Sequence, residues 1–80
     1  MDRANAIRLL KALVAAGANA QTPMANTWVH AVALRDLALQ GTDLASALTY
    51  AGNEGWLTDG PQKDSTSLTR AGEIAARLHN

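Results

Sequence analysis

Eighty residues with seven basic and seven acidic side chains and no cysteine make one small domain, free of disulfides and thiolate metal sites. A formal net charge of zero speaks against strong nucleic-acid affinity, because phosphate neutralisation supplies most non-specific binding. Arg8, Lys11 and Arg35 interrupt the apolar stretches and no signal-type start is present, so the expectation is a cytoplasmic chain with no membrane partner.

The charge is unevenly divided. Residues 1–40 carry four cations against two carboxylates, and residues 41–80 carry three against five. A chain of this length buries one modest core worth on the order of 4–12 kcal/mol. Domains this small often lean on a metal, a disulfide or a partner subunit. His30 and His79 are far apart in sequence with no carboxylate cluster beside them. No metal or other cofactor is therefore expected, and self-association is the support left to consider.

Residues 2–16 read as a helix. Asp2 is placed to cap it and to complement its dipole. Ile7, Leu10, Leu13 and Val14 recur at helical spacing, with Leu9 beside them, and Arg8 and Lys11 fall off that stripe toward solvent. Gly17 is a natural stop. Thr22-Pro23 is a helix-start signal, a hydroxyl followed by proline where the missing N–H costs nothing. It predicts a second helix from Pro23 to Leu37–Leu39 with Ala31, Leu34, Leu37 and Ala38 inward. Trp28-Val29-His30-Ala31-Val32 is rich in β-formers, so a short strand within 27–33 is the competing reading.

Gln40-Gly41 punctuates the chain and Thr42 is a cap candidate for a helix over 42–54. Its inner stripe is Leu44, Ala47, Leu48 and Ala51, and Gly55 ends it. Trp56-Leu57-Thr58 and Thr66-Ser67-Leu68 pair as a hairpin around the polar loop 59–65, with Trp56 read as core. Thr69 caps a last helix, Arg70–Leu78, with Ala71, Ile74, Ala75 and Leu78 inward. Glu73 and Arg77 stand at i and i+4 in the favourable order.

The pattern Leu44-x-x-Ala47-Leu48-x-x-Ala51-x-x-x-Gly55-Trp56-Leu57 is similar to the recognition helix and exit strand of winged-helix regulators of the MarR-like type. Leu68-Thr69-Arg70-Ala71-Gly72 resembles the L-T-x-x-G that closes their wing and opens the next helix. The resemblance covers about half of the chain. It implies an α+β, mostly helical fold over 1–80: a winged helix with three core helices, a two-stranded β-hairpin wing and a C-terminal helix. Two departures stand out. Ala51 replaces a larger residue, and the helix that faces DNA in that family has no Lys or Arg here.

The resemblance further implies a small transcriptional regulator that binds double-stranded DNA, with a homodimer doubling the phosphate contacts. Ser46, Thr49, Tyr50 and Asn53 are the candidates for the groove, and Lys63 and Arg70 for the backbone. Asp43 at the helix start competes with a phosphate there. The uncharged outer face and Trp28, an interface residue type, support the alternative of a winged helix that docks a protein partner. No nucleophile, general-base or phosphate-loop constellation is visible, so no enzyme activity is expected.

Overall fold

A computed structural model describes residues 2–78; His79 lies outside the described residues. The elements run α1 (Asp2–Ala15), β1 (Met24–Ala25), α2 (Asn26–Leu37), α3 (Gly41–Asn53), β2 (Leu57–Asp59), β3 (Ser65–Leu68) and α4 (Arg70–Leu78). The fold is mainly helical with a small antiparallel sheet. Its strand order is β1-β3-β2, so the last strand lies in the middle.

Burial of apolar surface organises everything around α1. Ala6, Leu9, Leu10 and Leu13 are completely buried on that helix, and α2, α3 and α4 all pack against it. Val29, Val32 and Ala33 of α2, Leu44, Ala47 and Ala51 of α3, and Leu57 and Leu68 of the hairpin close the core. Gly17 takes φ +107° and Gly55 takes φ +76° at the ends of α1 and α3. Both are left-handed positions that glycine occupies without steric cost.

The second helix begins later than Thr22-Pro23 suggests. Asn19 folds the preceding segment into a turn, its Oδ1 accepting the N–H of Gln21 at 2.9 Å and of Thr22 at 3.0 Å. Met24 then pairs with Thr66, and Ala25 with Ser65, so Pro23 leads a strand and α2 starts at Asn26. The stretch 27–33 is helix, and the strand precedes it. The expected two-stranded hairpin is thus part of a three-stranded sheet.

Two helices also face differently from their apolar patterns. On α2 the buried residues are Val29, Val32 and Ala33, whereas Ala31 and Ala38 are exposed, Leu34 is 51% exposed and Leu37 half-buried. On α4 the buried residues are Gly72, Ala75 and Ala76, while Ala71, Ile74 and Leu78 are exposed. Small residues let α4 approach α1 and the hairpin closely, and that contact outweighs burial of its two largest apolar side chains. For α3, Gln40 rather than Thr42 occupies the cap position, and it makes no side-chain cap bond. Thr69 does cap α4: its Oγ accepts the Gly72 N–H at 3.0 Å. Glu73 and Arg77 pair at 3.8 Å.

Candidate nucleic-acid interface

The inner stripe of α3 fixes what its outer side presents. With Leu44, Ala47 and Ala51 buried, Thr42, Ala45, Thr49 and Asn53 are exposed and Ser46 and Tyr50 are half-buried. Ser46, Thr49, Tyr50 and Asn53 share a shallow depression of about 280 Å³ with Ala45 and with Asp2 from the start of α1. Four of the six residues singled out from sequence therefore meet on one surface. Ser46, Thr49 and Asn53 carry donors and acceptors suited to base edges or a peptide backbone.

Tyr50 is differently committed. Its hydroxyl accepts a hydrogen bond from Arg3 at 3.3 Å. Its ring leans on Trp56, with centroids 5.9 Å apart and planes at 52°, a tilted aromatic contact. The Arg3 guanidinium lies over the Trp56 ring at 5.7 Å and 3.9 Å from Glu54. The bond to Tyr50, together with the nearby negative charge, holds the Arg3 pKa above its ordinary value. Arg3 is therefore a permanent cation spent on fastening α1 to the far end of α3. No local sequence signal marks this residue, because its partners lie forty-seven or more positions away.

Lys63 is exposed on the hairpin loop, and the loop is ordered around it. The Ser65 hydroxyl donates to the Gln62 carbonyl at 2.6 Å and accepts the Gln62 N–H at 3.2 Å. The Gly60 N–H reaches the Ser65 carbonyl at 3.0 Å. Asp64, at φ +59°, presents its carbonyl to the Asn26 N–H at 2.9 Å, and the Thr66 hydroxyl donates to Asn26 Oδ1. These bonds set the tip of the hairpin beside the N-terminus of α2.

Arg70 stands at the other end of β3, exposed at the start of α4. The run between the two cations spans on the order of 20 Å if extended, so they bracket the hairpin and do not converge. Glu73, the nearest acidic residue along α4, accepts the Ala20 N–H and pairs with Arg77. Among the described residues, no carboxylate lies within ion-pair distance of Lys63, Arg70, Arg8 or Lys11, whereas Arg35 is held by Asp36 at 2.8 Å. That bond keeps the Asp36 carboxyl below its usual pKa.

Electrostatically the surface is weak. Residues 41–69 carry Asp43, Glu54, Asp59 and Asp64 against Lys63, and Asp2 borders the polar depression. Trp28, expected as a possible exposed anchor, is half-buried against the core. Among the described residues there is no group of three His, Cys, Asp or Glu side chains that could hold a metal ion. No helix there is long and apolar enough to cross a membrane. No family model matches this chain, and no curated protein or solved structure matches it at a significant level.

Proposed function

We propose that this chain is a winged-helix domain that binds double-stranded DNA, with α3 in the major groove and the hairpin loop on the backbone, as a small transcriptional regulator. The observation that carries the reading is topological. The order α1-β1-α2-α3-β2-β3 with β3 central is compatible with a winged helix and supports that reading. It leaves the polar side of α3 unpacked and the loop tip beside the start of α2. Ser46, Thr49 and Asn53 are free to reach base edges. Tyr50 supports the helix from below through Arg3 and Trp56. Lys63 and Arg70, clear of carboxylates among the described residues, supply the phosphate contacts. Two or so such contacts per copy make the affinity low and favour binding as a pair of copies on two half-sites.

A second reading, docking of a protein on the same face, has its own support in Asp2, which borders the polar depression, and in Asp43 in the first turn of α3. The two readings separate on salt and on charge. Fluorescence anisotropy with a labelled mixed-sequence duplex is expected to show binding at low ionic strength that weakens log-linearly with salt. Lys63→Ala should lower the slope by about one and weaken every duplex alike. Asn53→Ala should weaken one preferred sequence more than others. Absence of binding at low ionic strength would rule out DNA as the ligand of the domain and leave the protein-docking reading.

A further inference from the structure

Among the described residues, the large apolar side chains that the fold leaves exposed fall on two surfaces of opposite shape. Leu34, 51% exposed, stands at one end of a groove between α2 and α3. Ile74 and Leu78, 45% and 73% exposed, stand on the outer side of α4. The groove consists of two adjoining hollows of about 360 and 370 Å³ that share His30 and Leu48. From α2 it is lined by Asn26, His30 and Leu34, at i, i+4 and i+8. From α3 it is lined by Gly41, Ala45 and Gly52 around Leu48, and the small residues keep it open. Asp59 of the hairpin closes the Asn26 end. Among the described residues no cation lines the groove, and none pairs with Asp59.

The outer side of α4 has the complementary chemistry. At about 100° per residue, Arg70, Ile74 and Leu78 form one row, and Arg77 stands next to it. Arg70 has no carboxylate within ion-pair distance among the described residues. The lengths agree as well. Asn26 to Leu34 and Arg70 to Leu78 each span eight residues of helix, about 12 Å. Seated in the groove with Arg70 at Asp59, α4 brings Ile74 over His30 and Leu48 and Leu78 against Leu34. Within one copy α4 is held on α1, so its outer row is left for another molecule.

We infer that the α2–α3 groove of one copy receives the outer row of α4 from a second copy of this chain. The contact is head-to-tail: every copy offers both a groove and a row, so association continues into a ring or an open chain rather than stopping at a symmetric pair. The surface is small, so the association is weak and transient. This inference assigns Arg70 a second role beside the one it has in the DNA reading, but its test contains no nucleic acid, so the two fail separately.

Sedimentation of the whole chain over a wide concentration range tests it. The wild type is expected to shift to larger species as concentration rises. Gly52→Leu obstructs the groove. A Cβ at Gly52 meets nothing within 4 Å, so the first atom of the new side chain enters open space, and circular dichroism checks that the fold is kept. Ile74→Glu spoils the row at an exposed position. Each variant alone should weaken association about tenfold or more. An equal mixture of the two should form a dimer that neither forms alone, because one retains its row and the other its groove. A wild type that stays monomeric at every concentration overturns the inference. So does a Gly52→Leu variant that associates like the wild type, or a mixture that gains no dimer.

Discussion

Gly72→Ala is expected to destabilise the domain by about 1–3 kcal/mol, although alanine improves an ordinary helix position by nearly 1 kcal/mol. A Cβ at Gly72 would overlap the carbonyl oxygen of Trp56 and lie 2.8 Å from Leu68 Cδ1 and 3.1 Å from the Trp56 carbonyl carbon. Neither neighbour is free to withdraw. The Trp56 carbonyl already accepts the Thr69 N–H at 3.0 Å and its hydroxyl at 3.1 Å, and Leu68 is only 1% exposed. Relief requires α4 to move off the hairpin, at the expense of the Thr69 cap. Gly52→Ala is the control of opposite sign. That Cβ meets nothing within 4 Å, so the full helical gain of about 1 kcal/mol should appear. Urea unfolding followed by circular dichroism reads both. A Gly72→Ala variant at least as stable as the wild type would mean that α4 does not dock against Trp56 as described.

Trp56→Ala is expected to cost about 3–5 kcal/mol, a large part of the stability available to a chain of this size. The indole is 8% exposed and fills the space where the end of α3 meets the hairpin. Its loss leaves a cavity beside Ala51, which is too small to collapse into it. It also removes the surface on which Arg3 and Tyr50 rest, so α1 and α3 loosen at the same end. Trp56→Phe retains an aromatic face and should recover most of the loss. Thermal unfolding of the two variants checks this. An alanine variant that melts with the wild type would show that the Arg3–Tyr50–Trp56 cluster does not hold the helices together.

These two positions also show what kind of information the family-like motifs carry. Leu68-Thr69-Arg70-Ala71-Gly72 reads as the end of a strand and the start of a helix, which the structure shows, and each conspicuous residue has a structural task. Leu68 enters the core, Thr69 caps α4 and is tied to the end of α3, and Gly72 permits the close approach. Gly55-Trp56 likewise ends α3 and anchors the hairpin. Such motifs carry packing information, and the functional proposal draws instead on the strand and helix order and on the outer side of α3.

The parts that sequence did not disclose depend on contacts distant along the chain. Two residues make β1, and nothing local marks Met24-Ala25 as a strand; pairing with Thr66 and Ser65 creates it. That pairing also delays the start of α2 to Asn26, and the helix buries Val29, Val32 and Ala33 rather than Ala31 and Leu34. On α4 the rule that larger apolar residues face inward failed, because tight packing selected Gly72, Ala75 and Ala76. At the candidate site, the outward position of Thr49 and Asn53 followed from helical periodicity alone. The engagement of Tyr50 by Arg3 did not, since it joins the first turn of α1 to the last turns of α3.

The most direct test of the central proposal is an amide NMR titration of the isotope-labelled chain with mixed-sequence duplex DNA, kept dilute, at low and then raised salt. Groove-and-wing binding predicts shifts confined to residues 42–53, the loop around Lys63, the adjoining Asn26 and the start of α4 at Arg70, fading as salt rises. An unperturbed spectrum at low salt, or shifts that ignore salt and avoid α3, would contradict it.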